Sequence, residues 1–245
     1  MRSRAAVHVV LLAAGRGARM GTPKGLLRHP TRGTTFLEAQ VKALADAGAR
    51  AVTVVLGHAL EDHERSVPFV ATRAGGPFRE GGAEVHVIVN PDPDRGPFSS
   101  LVLAVLHARS VDPGALGFAV LPVDVPCPEA TTWDALRTAF AARADAVHVI
   151  TPDLAGRGGH PVLVDRAFAD GLVVRSTTSV PQRLDHAIAD AGESARLRVP
   201  VRDVRVVANL NTPDDFARWA GDASSSDPVA VPARGRSKLD GFDEE

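Results

Sequence analysis

Residues 14–25 read AGRGARMGTPKG, with glycines at 15, 17, 21 and 25 among Arg16, Arg19 and Lys24. Residues without a Cβ let backbone N–H groups approach an anion closely. Arg19 and Lys24 add fixed positive charge. A triphosphate suits such a loop, and the plain alternative is a glycine-rich turn with solvated charges. Two familiar phosphate loops do not fit. The dinucleotide fingerprint needs a third glycine where Met20 stands, and the Walker loop needs Ser or Thr after its lysine, where Gly25 stands.

Other chemistry-bearing residues are scattered along the chain. Asp124 lies between Pro122 and Pro126, so its carboxylate has little freedom; a cap or turn before the next helix is its simpler role. Asn211 precedes Thr212 and Pro213, a strong helix-start signal. Asn90-Pro91 reads as a turn, and Ser99 or Ser100 as a helix cap. His160 sits in RGGHP with Arg157 nearby, a loop suited to a second phosphate. Cys127 reads as a buried spectator and His58 as a minor candidate for the same pocket.

The elements that must position these residues alternate. Ala6–Ala13, Ala51–Leu56, Val85–Val89, Gly117–Leu121 and Ala146–Ile150 read as strands. Thr35–Ala47, Leu101–Ala108 and Glu129–Ala142 read as helices, the first stopped by Gly48. The alternation predicts an α/β fold of three layers, with a mostly parallel, Rossmann-like central sheet between helices. In such a sheet ligands bind beyond the carboxyl ends of the strands, where the glycine loop follows the first strand. The second half is less regular. Val162–Val164 and Val204–Val207 read as short strands, Gln182–Ala191 and Pro213–Ala220 as helices, and 74–83 as a mobile surface excursion. Residues 221–245 read as a disordered tail after a domain spanning 1–220.

With 245 residues and 44% hydrophobic content, the chain can bury a sizeable core. The net charge of -1 argues against a general nucleic-acid surface. A single cysteine allows no intrachain disulfide and fits a reduced, cytoplasmic setting. The first 18 residues have the outline of a secretory signal, but His8 interrupts the apolar stretch and cleavage would fall inside the glycine loop. A buried first strand is the better reading, and no run is long enough to span a membrane.

The order LAAG-R-G-A-RMG-T-PK resembles the signature of the MobA-like NTP transferase family. NPDPDRGPFSSL (90–101), LPVDVP (121–126), GGHPVLV (158–164) and NLNTPDDF (209–216) are similar to later motifs of its molybdopterin cytidylyltransferase branch. The resemblance implies transfer of an NMP from an NTP to a phosphorylated acceptor with loss of pyrophosphate. It implies Mg²⁺ as cofactor, CTP as donor and molybdopterin as acceptor. A molybdoenzyme or chaperone would be the receiving partner; oligomeric state stays open.

By that resemblance Arg19, Lys24 and Asp124 are catalytic. Arg19 and Lys24 bridge the phosphates, and Asp124 and Asn211 hold the metal. Leu12, Ala13, Ala14, Gly15 and Gly17 line the nucleotide, Asn90, Ser99 and Ser100 complete the base and ribose contacts, and His160 binds the acceptor. Members of this branch often carry Asp where this chain has Asn209 and Asn211, so this site would be less negative. The alternatives are a guanylyltransferase, a transferase acting on sugar or alcohol phosphates, and a regulatory module that binds nucleotide without turnover.

Overall fold

Val9 and Leu11 point to one side of the first strand and Val10 to the other, and all three are buried. A strand apolar on both faces needs a helical layer on each. The computed structural model, which describes residues 6–177 and 182–224, provides both. In chain order its elements are β1 (Val7–Leu12), α1 (Phe36–Asp46), β2 (Ala51–Leu56), α2 (Leu60–Ser66), α3 (Pro68–Ala71), β3 (Phe78–Glu80), β4 (Ala83–Val89), α4 (Pro97–Val111) and β5 (Gly117–Pro122). They continue with α5 (Ala130–Ala142), β6 (Val149–Leu154), β7 (Arg157–Gly158), β8 (Val162–Asp165), α6 (Arg166–Arg175), α7 (Leu184–Asp190), β9 (Arg196–Pro200) and α8 (Pro213–Ser224).

The strands form one sheet in the order β3-β4-β2-β1-β5-β8-β6-β7, with β9 paired to β6. Strands β4, β2, β1 and β5 run parallel, and so do β6 and β9. Strands β3, β7 and β8 pair antiparallel with their neighbours. One face of the sheet packs on Phe36, Leu37 and Leu44 of α1 and Trp133, Leu136 and Phe140 of α5. The other packs on Phe98, Leu101 and Val105 of α4 and Ala169 and Leu172 of α6. The expected three-layer α/β architecture is therefore present.

The chain steps outward from β1 to β2 to β4, then returns through α4 to place β5 on the opposite side of β1. The carboxyl ends of β1 and β5 thus flank the point where strand order reverses, the place where open sheets bind ligands.

Several local expectations are corrected. Ser99 and Ser100 do not cap α4, which starts earlier at Pro97 after Gly96; they occupy its first turn. The excursion at 74–83 contains edge strand β3, whose Phe78 stacks on Phe69 at 5.5 Å. Residues 204–207 form a 3-10 turn, because Asp203 accepts from the Arg205 amide and closes it. The fifth predicted strand begins three residues later, at Val149, and continues past Pro152 to Leu154. Helix α8 runs four residues past the expected Ala220, and the rest of the tail, 225–245, lies outside the described residues.

One polar cluster lies within the layer between the sheet and α4. His8 on β1 is fully buried. Its Nε2 accepts from the Thr53 hydroxyl at 2.9 Å, and Asp112 Oδ2 accepts from its Nδ1 at 3.3 Å. His86, itself bonded to Glu84, and His107 face it with their rings 5.1 Å apart. Burial outweighs the attraction of Asp112, and the His8 pKa falls to about 4.

A depressed folded-state pKa means that the unfolded chain binds the proton more readily. The stability from a neutral His8 is whole above its ordinary value of 6.5 and is lost as pH falls toward about 4. Urea unfolding at pH 7 and pH 4.5 should show a loss of about 2 kcal/mol from this residue. A His8→Gln variant should show a shallower pH dependence.

Candidate active site

The glycine loop leaves β1 with its backbone tied down. Ala13 N donates to Val55 O at 2.8 Å, and His58 N donates to Ala14 O at 3.3 Å. At Gly17 φ is +64°, and a Cβ there would stand 2.1 Å from Thr22 O. Only glycine combines that left-handed backbone with that close approach. Met20 N donates to Gly17 O, closing the turn. Ala13 and Ala14 lie at its buried root beside half-buried Leu12, while Gly15 and Arg19 are exposed at its crest. The Arg19 guanidinium has no hydrogen-bond or charge partner among the described residues.

Arg16 has a different task, which sequence reasoning missed. Its Nε and terminal nitrogen donate to Asp94 at 3.1 and 2.6 Å, and His58 Nε2 meets the same carboxylate at 3.0 Å. The Arg16 guanidinium holds the Asp94 carboxyl below the usual carboxylate range. This fork fastens the glycine loop to the 90–96 turn. The signal was present as an acidic residue inside NPDPDRGP.

Pro23 ends the loop, and Lys24 opens a short 3-10 turn. Lys24 Nζ donates to Asp124 Oδ2 and to Asn211 Oδ1, both at 2.6 Å. The Lys24 and Asp124 side chains are each 18% exposed, so the pair is sheltered yet reachable. Asp124 follows β5, and its carbonyl accepts from Leu210 N at 2.9 Å. That bond draws the 209–212 segment alongside Asp124. Asp215 completes the corner, since its carboxylate accepts from the Asn211 and Thr212 amides while its own amide donates to Thr212 Oγ1. The Thr212 contact comes first among the causes holding Asp215's pKa down. Asn211 therefore precedes the helix cap rather than being one.

Asn90, Ser99 and Ser100 also come together, but chiefly with one another. Asn90 Nδ2 donates to both serine hydroxyls at 2.9 Å, and its Oδ1 accepts from the Asp92 amide. Asn90 is only 3% exposed and Ser100 2%, so both brace the floor; Ser99 is the more open. His160 lies close to Asp124, with its ring bonded to the Val120 carbonyl and its Nδ1 buried without a partner among the described residues. Burial lowers its pKa, against the pull of Val120 and Asp124. Gly159 admits the close approach here, since a Cβ would lie 2.2 Å from Val206 O.

The residues suit a hard cation. A carboxylate and an amide carbonyl, both oxygen donors, converge on a single ammonium nitrogen. Magnesium commonly takes only one or two protein oxygens, with phosphates and water supplying the rest. No group of three or more His, Cys, Asp or Glu suited to a metal occurs among the described residues. Cys127 is buried, and burial pushes its thiol up to about 11, which suits neither a ligand nor a nucleophile.

Residues 9–190 match the MobA-like NTP transferase domain. The chain belongs to that family. A probable molybdenum cofactor guanylyltransferase of Rhodopirellula baltica is 35% identical over 117 residues, 48% of this chain and 47% of that protein. The bifunctional protein GlmU of Mycolicibacterium paratuberculosis is 30% identical over 189 residues, 77% of this chain and 34% of that protein. The chain spans less than half the length of either relative. Among solved structures, the Mycobacterium sp. strain JC1 homologue of Mycobacterium tuberculosis Rv0371c superposes with a TM-score of 0.66 at 25% identity, covering 91% of this chain and 98% of that one. The matched segment begins within β1 and spans the glycine loop and Asp124. Asn211 lies beyond the matched segment.

The two crest glycines should respond differently to alanine. A methyl group at Gly15 would meet open space on a backbone without positive φ, whereas Gly17 has neither freedom. Gly17→Ala should cost about 2 kcal/mol in urea unfolding, from left-handed strain before any clash. Gly15→Ala should leave the midpoint nearly unchanged.

Proposed function

We propose that this chain transfers a nucleotidyl group from an NTP to a small phosphorylated acceptor, with Mg²⁺ as cofactor. CTP is the preferred donor and molybdopterin the preferred acceptor. The observation that supports this best is the convergence of Lys24, Asp124 and Asn211 beside a glycine loop at the sheet's reversal point.

The reaction asks for positioning and charge neutralisation. An acceptor phosphate oxygen attacks the α-phosphorus, and the bond to the leaving pyrophosphate breaks. The acceptor oxygen is itself the nucleophile, so no side chain need form a covalent intermediate. Arg19, without a partner among the described residues, turns its guanidinium to the phosphate chain, and loop amides face the same anion. Lys24 leaves its two oxygens for the phosphates. Asp124 and Asn211 would hold Mg²⁺, which when bound supplies positive charge against the charge gathering on the phosphate oxygens. His160, neutral at pH 7 because burial lowers its pKa, offers a polar ring atom toward the acceptor side.

The CTP preference rests on the LAAG form of the loop. A guanylyl donor is the second reading, favoured by the similarity to the probable molybdenum cofactor guanylyltransferase of Rhodopirellula baltica. Sugar and alcohol phosphates are the alternative acceptors. A reducing, cytoplasmic setting goes with the single buried thiol. No helix among the described residues is long and apolar enough to cross a membrane.

Pyrophosphate release with Mg²⁺, each common NTP in turn and molybdopterin should be greatest with CTP. Release with GTP alone would reverse the donor, and release only with a sugar phosphate would reverse the acceptor. Tight NTP binding with no release from any acceptor in a wide panel would favour the regulatory module. Asp124→Ala should lower turnover at least about 100-fold. Lys24→Ala should weaken NTP binding about tenfold in calorimetry, from the loss of charge-assisted hydrogen bonds.

A further inference from the structure

Helix α1 buries an apolar stripe of Phe36, Leu37, Val41 and Leu44 against the sheet. Gln40 lies on that same stripe and is only 3% exposed. A buried amide is costly unless its donors and acceptor are satisfied. Here they are, and every partner belongs to the loop that carries Asp124. Gln40 Nε2 donates to Val125 O at 2.6 Å and to Val123 O at 3.3 Å, while its Oε1 accepts from Cys127 N at 2.7 Å.

That loop has few other restraints. Pro122, Pro126 and Pro128 have no N–H to give. Val123 N donates to Leu12 O, and Val125 N donates back to Pro122 O. The Val123 and Val125 carbonyls bracket Asp124, and one amide nitrogen holds both. The intervening Asp124 carbonyl is held from the other side by Leu210 N. Asp124 therefore cannot turn about its backbone without breaking a bond to Gln40 or to Leu210. Its carboxylate stays aimed at Lys24.

We propose that Gln40 is a positioning residue: it fixes the backbone of Asp124 from beneath and so sets the reach of that carboxylate toward Lys24 and the reacting phosphates. The consequence for turnover rests on the function proposed above; the consequence for the Lys24–Asp124 pair does not.

The test compares Gln40→Leu, Gln40→Glu, Asp124→Asn, Asp124→Ala and the Gln40→Leu/Asp124→Ala double variant, at a temperature where circular dichroism shows each folded. In protein free of metal and nucleotide, acetic anhydride labelling of Lys24 is followed by mass spectrometry. Pairing with Asp124 protects the amine, so Asp124→Asn and Gln40→Leu should both raise the labelling rate several-fold. Turnover of Gln40→Leu should fall about 10- to 100-fold, the usual range for a residue supporting a site ligand. The double variant should be no slower than Asp124→Ala, because the two act through one group.

Gln40→Glu separates hydrogen bonding from shape. Ionised, it sets a carboxylate against two carbonyl oxygens; protonated, it can donate to one of them. Its turnover relative to the parent should rise as pH falls, and a flat ratio overturns the hydrogen-bond account. Lys24 labelling in Gln40→Leu equal to the parent's overturns the proposal, as does a double variant slower than Asp124→Ala. Parent-like turnover in Asp124→Ala would sink the metal assignment instead, leaving Lys24 labelling to decide on Gln40.

Discussion

The site depends on one ammonium held between two oxygens that are distant in sequence. Lys24 reaches Asp124 across 100 residues and Asn211 across 187. For that to happen β1 and β5 must be neighbours, and α4 must carry the chain back over β2 and β1. The 209–212 segment must then return to the carboxyl end of β5. A partly sheltered charge without partners would be costly. The same contact that prepares the site thus also favours the strand order that builds it.

The first half of the fold was legible because its signals agree. β1 and β2 are short runs rich in valine and leucine, and α1 combines a Thr35–Glu38 capping box with an apolar stripe and Gly48 at its end. The second half was harder because tertiary context decides there. β9 reads RLRVP, and its charged residues suit an edge strand but conceal the pairing to β6. α6 contains Gly171 and two adjacent valines, poor local signs for a helix, and depends on the Asp165 side chain bonding the Phe168 amide. Valines at 204–207 suggested a strand, yet one aspartate turns them into a 3-10 corner. For the site, the residue types and their motif order sufficed to gather Lys24, Asp124 and Asn211. The restraints behind them were not visible, because a hydrogen bond from Arg16 to Asp94 or from Leu210 to Asp124 leaves no periodic trace.

Cations of one loop have been given separate work. Arg16 is engaged by Asp94, Lys24 by the Asp124 and Asn211 oxygens, and Arg19 stands without a partner among the described residues. Charge count alone would treat them as equivalent. Geometry makes one a fastener and one a bridge, and leaves the third exposed at the crest of the loop. The nearby polar groups follow the same division: Asn90 and Ser100 form a floor whose bonds are already made, while His160 keeps one ring nitrogen unmatched.

The bond from Leu210 to Asp124 also makes the last helix more than an appendix. The family-matched segment stops at 190, whereas the amide that completes the oxygen pair comes from 211. The C-terminal stretch behaves as a strap buckled over the mouth of the sheet. A fragment cut between those points would keep the glycine loop and the carboxylate but lose the second oxygen. Anything joined to α8 that pulled on the strap would be felt at the site itself.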